Sequence, residues 1–286
     1  MAKIHKIPFS KMHGAGNDFI IINQIDHDYN LNAKEISKFS DRNFGIGFDQ
    51  LLIIEKPTRS DAEFKYRIFN ADGEEVNQCG NGARCFFHYL KLKKLTTSNN
   101  LMVETRSGLI ELSYKENELI AVDMGKAIFE NHRIPFSPNH STNNIVKVNN
   151  QEYKFYPVSM GNPHAIIKLA TFNNIDLKAI GRALQGSLMF PDSVNVNFLK
   201  IIDSQNLALK VYERGSGMTL ACGSGACASA VIAMENKWAK GPINILMDGG
   251  ILKVNKKPNG NIELIGPAKF IFDGEINLND YLSNEQ

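Results

Sequence analysis

A pentapeptide pattern, Cys-Gly-x-Gly-Ala, occurs twice in this 286-residue sequence, beginning at Cys79 and at Cys222. In each copy it separates a β-branched or aromatic run from a stretch of helical character. Asn70 and Glu213 each end a predicted strand, nine residues before the cysteine of their own copy. The spacing indicates one ancestral domain of about 130 residues that was duplicated, each copy supplying one cysteine.

The correspondence extends further upstream. Asn17 precedes its cysteine by 62 residues and Asn162 precedes its own by 60, while Gln50 and Asn195 do so by 29 and 27. Between the copies the strand pattern gives way to Gly, Asn and Pro near Met124–Pro138, where we expect the seam between two domains.

The order of predicted elements defines the fold class. Short strands alternate irregularly with three helices, which disfavours a doubly wound parallel sheet and predicts an α+β or mixed α/β protein. The helices are predicted at 32–41, 81–93 and 224–237. The strands are predicted at 19–23, 50–55, 64–70, 109–114, 120–124, 165–169, 208–213, 243–247 and 261–265.

Composition excludes several functions. The net charge is +2, from 32 Lys plus Arg against 30 Asp plus Glu, so no electrostatic footprint for nucleic acid or an anionic membrane exists. The first twenty residues hold no apolar signal core, and the longest purely apolar run, at 230–234, is five residues. Four cysteines without an export signal favour a cytoplasmic protein with reduced thiols.

The two loops place a thiol at the start of a helix. The first N–H groups of a helix lack intrahelical partners and carry the positive end of its dipole, so we expect a lowered thiol pKa there. The glycines let successive N–H groups converge on a carboxylate. Two such thiols could remove a proton from one face of a substrate carbon and deliver one to the other.

Other interpretations of the cysteines stay open at this point. A disulfide oxidoreductase would carry Cys-x-x-Cys, whereas five residues separate Cys79 from Cys85 and four separate Cys222 from Cys227. A zinc site would need similar pairs, so no metal is predicted. A non-catalytic anion-binding module could also use two helix N-termini. Cys85 and Cys227 fit buried core positions, and His164 follows a turn where a site role or a packing role is possible.

Seven segments together resemble the diaminopimelate epimerase family, in its order and over nearly the whole chain. These segments are Lys11–Phe19, Gly45–Gln50, Phe69–Gly73, Gln78–Cys85, Val158–His164, Val211–Gly215 and Ala221–Cys227. The resemblance implies a cofactor-free, pyridoxal-independent enzyme that interconverts LL- and meso-diaminopimelate, in lysine and peptidoglycan precursor synthesis.

The resemblance also implies an architecture. It implies two pseudosymmetric domains, each a curved, mostly antiparallel sheet around a central helix, with the active site in the interdomain cleft. The first would comprise residues 1–123 with a C-terminal return segment, 269–286, and the second residues 124–268. A homodimer is implied, with Phe272 where the family often has a dimer-contact tyrosine.

Roles for individual residues follow from the same resemblance. Cys79 and Cys222 would be the acid–base pair, with His164 and Glu213 modulating their ionisation. The substrate would be held by backbone at Gly80, Asn81, Gly223 and Ser224 and by the side chains of Asn17, Gln50, Asn70, Asn162, Asn195, Glu213 and Arg214.

The alternative within the enzyme class is a related two-cysteine racemase or epimerase acting on proline or hydroxyproline. Arg214 argues against it, because a guanidinium suits a second, distal carboxylate that proline lacks. A site built for two zwitterionic ends should reject ligands with only one.

Overall fold

The structure is a computed structural model, and it describes residues 6–77, 79–138 and 144–278. The described residues divide into two compact units. The first contains the residues up to Val122 and those from Gly266 onward, and the second is Asp123–Ile265. The domain boundaries expected after residues 123 and 268 lie one and three residues beyond these divisions.

Strands dominate the first unit, with two α-helices between them. In chain order its elements up to Asp123 are β1 (Lys6–Gly14), β2 (Asn17–Asn23), α1 (Ala33–Ser40), β3 (Gln50–Glu55), β4 (Phe64–Asn70), β5 (Glu75–Val76), α2 (Gly80–Leu92), β6 (Asn100–Thr105), β7 (Gly108–Tyr114), a 3-10 turn (Glu116–Glu118) and β8 (Ile120–Asp123).

The second unit has a similar succession. Its elements are a 3-10 turn (Asn131–Arg133), β9 (Ile145–Val148), β10 (Gln151–Ser159), β11 (Pro163–Lys168), α3 (Leu177–Gln185), β12 (Asn195–Ile201), β13 (Asn206–Glu213), β14 (Gly217–Thr219), α4 (Gly223–Glu235), β15 (Ile243–Met247), β16 (Gly250–Lys256) and β17 (Ile262–Gly266). The last strand of the chain, β18 (Lys269–Asn277), belongs to the first unit.

The two units share one pattern of strand pairing. In the first, β1–β2 is antiparallel, β2–β3 parallel, β3–β4 antiparallel and β4–β6 parallel. In the second, β10–β11 is antiparallel, β11–β12 parallel, β12–β13 antiparallel and β13–β15 parallel. Antiparallel hairpins complete each unit, β6–β7–β8 in the first and β15–β16–β17 in the second. The topology therefore repeats within the chain, as the duplicated cysteine pattern predicts.

The corresponding strands β1 and β10 have different outer partners. In the second unit the outer partner of β10 is β9, the strand immediately before it in the sequence. In the first unit β18 takes this place, running antiparallel to β1 from the pair Lys6–Asn277 to the pair His13–Lys269. The C-terminal segment thus returns to the first unit, and residues 279–286 of it lie outside the described residues.

One helix is central to each unit. Ten of the thirteen residues of α2 are buried, and the helix packs against β1, β2, β3, β7 and β18. Likewise, α4 buries ten of its thirteen residues against β10 to β13, β15 and β16. A helix enclosed on all sides cannot be amphipathic, and α4 accordingly consists mainly of small and apolar residues. Each cysteine pattern therefore opens a helix in the core of its own unit.

The predicted mixed α/β fold, dominated by β-structure, is confirmed. Helix α1 begins as expected, because Asn32 and Glu35 form a capping box. The prediction of only three helices was wrong, since α3 was missed. Gly181, in the middle of α3, weakens its helical signal, but a Cβ there would lie 2.4 Å from the Tyr212 ring, so close packing requires the glycine.

Candidate active site

Both cysteines of the repeated pattern occupy N-cap positions. Cys79 has φ −143° and ψ 118° and precedes Gly80, the first residue of α2. Cys222 has φ −129° and ψ 112° and precedes Gly223, the first residue of α4. In each unit the extended cysteine leads directly into a buried helix whose first N–H groups have no intrahelical acceptor. Such a terminus is suited to bind an anionic group.

Asn17 lies beside the first thiol. The Cys79 Sγ is 3.8 Å from Asn17 Oδ1, and Asn81 Nδ2 donates to the same oxygen at 3.2 Å. Asn17 Nδ2 donates in turn to Asp49 at 2.9 Å, so its amide oxygen must face the helix terminus. The structure thus brings together three of the residues predicted for the first half of the site, namely Asn17, Cys79 and Asn81.

A network of ion pairs holds Asp49, the partner of the Asn17 amide, in place. Arg42 bridges Asp18 at 2.7 Å and Asp49 at 2.8 Å, and the buried Lys11 bonds Asp18 at 2.6 Å. Burial alone would raise the pKa of Asp18, but the hydrogen bonds and charges of Arg42 and Lys11 bring it down to about 2. The Asp49 that orients Asn17 is therefore tied to fixed charges.

Gln50 and Asn70 form a second predicted pair in the first unit. They are register partners of β3 and β4, and Gln50 Nε2 donates to Asn70 Oδ1 at 2.9 Å. Gln50 Oε1 is buried and accepts no hydrogen bond from the described residues. An unsatisfied buried acceptor costs about 1–3 kcal/mol, so a ligand donor at this oxygen would be favoured.

A fully buried arginine, Arg84, lies in the second turn of α2. Arg84 donates to Gly80 O at 3.2 Å, to Asn81 Oδ1 at 2.9 Å and to Pro267 O at 3.2 Å. It thereby ties the helix terminus to the segment that leads into β18. The sequence interpretation gave Arg84 no role, although its place directly after the repeated pattern, five residues from the cysteine, was a signal.

The second thiol is more enclosed. Cys222 is 5% exposed, its Sγ accepts the N–H of Gly225 at 3.4 Å, and the Ser224 hydroxyl lies 3.5 Å away. The carboxylate of Glu213 approaches the same sulfur and accepts a short hydrogen bond from Thr219.

The expected lowering of the thiol pKa is wrong for Cys222. Burial raises the pKa of Cys222 well above its ordinary value, and the Glu213 charge raises it further. The hydrogen bonds from Ser224 and Gly225 act in the opposite direction but are weaker. The prediction considered only the helix terminus and left out desolvation, which disfavours a thiolate.

His164 joins this second group. It is fully buried, and its Nε2 lies 3.1 Å from both Ser224 Oγ and Asn162 Oδ1. Burial lowers the pKa of His164 to about 4, the hydrogen bond to Asn197 opposes that shift, and the charge of Arg214 contributes to it. The ring is neutral near pH 7.

The Asn195 side chain contacts the main chain of Arg214 and not its guanidinium. Asn195 Oδ1 accepts the main-chain N–H of Arg214 at 2.9 Å, and its Nδ2 donates to Pro163 O at 3.2 Å. Arg214 Nη1 donates to Asp192 O at 2.9 Å, and the side chain is exposed. Asn195 therefore holds the Arg214 loop, and the guanidinium keeps donors that could bind a carboxylate.

Asn197 is the residue that the sequence interpretation missed in the second unit. It is fully buried and contacts His164 Nδ1 at 3.1 Å. A signal existed, because Asn197 lies two residues after Asn195 on the same face of a strand, where an inward-facing polar residue is unusual.

Three further observations complete the description. All four cysteines lie within the described residues and none forms a disulfide; Cys85 and Cys227 are buried, as predicted. Among residues 6–77, 79–138 and 144–278, no three His, Cys, Asp or Glu side chains are grouped to hold a metal ion. No helix in the same ranges has the length and apolar character to cross a bilayer.

Comparison with solved structures defines the class of fold. A hydroxyproline epimerase from Agrobacterium vitis superposes with a TM-score of 0.70 at 14% identity, covering 99% of this chain and 95% of that one. At this identity the likeness establishes the fold alone, a fold found in epimerases.

Sequence comparison is more specific. The family model for diaminopimelate epimerase matches residues 9–130 and 156–271. Diaminopimelate epimerases from Azotobacter vinelandii and Pseudomonas savastanoi are 43% and 42% identical, each over 94% of this chain and 99% of the relative. The chain belongs to the diaminopimelate epimerase family, and is thus an isomerase of the amino-acid epimerase class.

Proposed function

We propose that this protein interconverts LL- and meso-diaminopimelate without a cofactor, with Cys79 and Cys222 as the acid–base pair. The observation that carries the proposal is the repeated N-cap cysteine at the start of a buried helix in both units. Inversion at carbon needs one group to remove a proton and another to deliver one, and the mechanism requires the two sulfurs to reach opposite faces of that carbon.

The α-carboxylate would bind at the two helix termini. The N–H groups of Gly80, Asn81, Gly223 and Ser224 lie in the first turns of α2 and α4, where the helix dipole favours negative charge. Donors already in place would stabilise the charge that develops as the Cα proton leaves.

The distal end of the substrate would be held by amides and one guanidinium. Arg214 would bind the distal carboxylate, and the unsatisfied oxygen of Gln50 would accept from an ammonium group. Asn17, Asn70 and Asn162 would contribute further contacts, Asn195 would hold the Arg214 loop, and Glu213, beside Cys222, would act on both thiol and substrate.

His164 would act on the ionisation of the second thiol through Ser224. Its Nε2 is 3.1 Å from Ser224 Oγ, which is 3.5 Å from the Cys222 sulfur.

We assign the two units as the two epimerase domains, 1–123 with 269–286 and 124–268.

We further propose a cytoplasmic homodimer whose contact includes Phe272. Residues 269–273 of β18 are all exposed, and three of them, Phe270, Ile271 and Phe272, are large and apolar. An exposed apolar run on a strand is typical of a protein interface. In the cell the product would supply lysine and peptidoglycan precursor synthesis.

A proline or hydroxyproline racemase is not favoured. The similarity to the hydroxyproline epimerase is 14% identity, whereas the diaminopimelate epimerases reach 43%. Proline also offers no distal carboxylate to Arg214.

A direct assay tests the proposal. The purified protein, without added pyridoxal phosphate or metal, should convert LL-diaminopimelate to a mixture with the meso isomer, followed by chiral chromatography. Proline and hydroxyproline should stay unchanged at the same enzyme concentration. Turnover of either imino acid with no turnover of diaminopimelate would contradict the proposal.

A further inference from the structure

A polar pair lies beneath the start of α4 where the other unit has an apolar pair. His164 follows Asn162 by two residues, and Asn197 follows Asn195 by two; the matching positions of the first unit are Phe19 and Leu52. Both polar side chains are fully buried. Since the same fold accepts apolar residues at these positions, folding alone does not require the polar pair.

The orientation of the Asn197 amide is fixed by its donors. Asn197 Nδ2 donates to Gly225 O at 2.8 Å and to Ser229 Oγ at 3.1 Å. A carbonyl oxygen can only accept, so the nitrogen must face Gly225 and the oxygen must face His164. Asn197 Oδ1 lies 3.1 Å from His164 Nδ1, which must therefore carry the ring proton.

We propose that Asn197 is a positioning residue that holds His164 as the Nδ1–H tautomer and so presents Nε2 as a hydrogen-bond acceptor to Ser224. The inference rests on the proposed function, because it concerns the second member of the acid–base pair. It assigns a role to a residue that touches neither the thiol nor the substrate.

An acceptor at Nε2 determines the direction of the next hydrogen bonds. Ser224 Oγ, 3.1 Å from Nε2, donates its proton to the ring. Its lone pairs are then available to the S–H of Cys222, 3.5 Å away. With Nε2 as an acceptor, the Asn162 amide must turn from the orientation in which its Nδ2 donates to Ser224 Oγ. Its Nδ2 then faces Nε2, and its Oδ1 shares the Ser224 hydroxyl proton with the ring.

The arrangement favours Cys222 as the proton donor of the resting enzyme. When Cys222 protonates the substrate carbon, its S–H bond breaks, a C–H bond forms and the electron pair stays on sulfur. The Ser224 hydroxyl can then rotate to donate to the thiolate, beside the N–H of Gly225 at 3.4 Å. Only the hydroxyl reorients, and no proton passes to His164.

Nitrogen NMR of the histidine ring tests the tautomer directly. In protein labelled with ¹⁵N-histidine at pH 7.5, the His164 spin system, assigned by its loss in His164→Gln, should show Nδ1 protonated and Nε2 bare. An Nε2–H tautomer or an imidazolium in the wild-type protein would overturn the proposal without any variant being needed.

Variants of the polar pair provide the second arm. Asn197→Leu should remove the Nδ1–H preference and lower kcat by about 10- to 100-fold, because a misplaced group near the reacting atoms costs about that much, with KM little changed. Asn197→Asp retains an acceptor and should keep the tautomer. An Asn197→Leu protein with the wild-type ring spectrum would overturn the proposal.

Two controls separate positioning from folding. Ser229→Ala removes a partner of Asn197 Nδ2 but leaves Gly225 O and the contact with His164, so the ring spectrum should be unchanged. The double variant His164→Phe/Asn197→Leu reproduces the apolar pair of the first unit and should fold with reduced kcat. The spectrum is read without substrate, so failure of the tautomer assignment is distinguishable from failure of the proposed reaction.

Discussion

The starts of α2 and α4 have the same backbone but different chemical surroundings. Both begin after an extended cysteine at the N-cap. Beneath α2, a Cβ on Gly82 would meet Ile68, Leu52 and Phe19, all apolar. Beneath α4, a Cβ on the matching Gly225 would meet Asn197 at 2.9 Å and the Cys222 sulfur at 3.2 Å.

Charge differs between the two termini as well. The first has the buried Arg84 one turn into its helix, where the second has Cys227. The second has Glu213 at its thiol, where the first has Asn70 nine residues before the cysteine. The two units therefore share the geometry that places a thiol and N–H groups together, while the electrostatics around the two thiols differ. In the proposed reaction one sulfur is a thiolate while the other is a thiol, and different surroundings would favour that difference.

The largest expected effect comes from the thiols. Cys79→Ala and Cys222→Ala should each lower kcat by at least about 10³-fold, because each removes one of the two proposed proton carriers. Cys85→Ala, at the buried cysteine of α2, should keep most of the activity. If Cys79→Ala or Cys222→Ala retained near wild-type turnover, the replaced cysteine would not carry a proton, and the two cysteines would not form an acid–base pair.

The matched glycines should separate the two surroundings. Gly225→Ala pushes on Asn197 and Cys222, and we expect kcat to fall by about 10- to 100-fold. Gly82→Ala crowds only apolar side chains, so we expect a loss of about 1–3 kcal/mol in unfolding free energy with kcat little changed. Steady-state kinetics and urea unfolding measure both. Equal effects of the two substitutions on kcat would show that the polar side chains beneath α4 have no particular role in turnover.

The charged support of Asn17 should make the first half sensitive to acid. The pKa of Asp18 is about 2 in the folded protein against 3.8 for the ordinary side chain. This lowering contributes about 2 kcal/mol of stability above pH 3.8, and the contribution is lost as the pH falls toward 2.

Asp18→Asn should remove that pH dependence. Unfolding free energy measured from pH 5 to pH 2.5 should fall less steeply in the variant than in the wild type. Asp26→Asn, at an exposed ion pair with Lys56, serves as the control and should retain the wild-type slope. Identical slopes for Asp18→Asn and the wild type would show that the ion network does not stabilise the first half.

The smallest expected effect concerns Glu213. Its charge raises the pKa of Cys222, so Glu213→Gln should lower that pKa and increase the thiolate fraction. We expect Cys222 to react a few-fold faster with iodoacetamide at pH 7.5, because the thiolate is the reacting form. Peptide mass spectrometry measures the rate at each cysteine. An unchanged rate at Cys222, with Glu235→Gln as the surface control, would remove Glu213 from control of this thiol.

Local sequence signals predicted part of the fold well. The runs 50–55, 64–70 and 243–247 coincide with β3, β4 and β15, because β-branched and aromatic residues between turn formers specify a strand locally. β1 and β18 were missed, since each mixes Lys with apolar residues and their mutual pairing joins residues more than 250 positions apart. Long-range pairing leaves little trace in a single sequence.

The site shows the same limit. The repeated pattern identified Cys79 and Cys222, and the family resemblance supplied residues that the structure places beside them, such as Asn17 and His164. The lowered thiol pKa was wrong for Cys222, because burial and the approach of Glu213 are properties of the folded chain. Asn197 was missed because its importance lies in which way its amide faces.

Isotope labelling tests the two-thiol account most directly. LL-diaminopimelate is incubated with the enzyme in deuterated water and sampled before a tenth of it has reacted. If Cys79 and Cys222 each serve one face, the meso product carries solvent deuterium at the inverted carbon and the remaining LL substrate carries none. Equal early deuterium in both isomers would show that one group serves both faces, and would contradict the account.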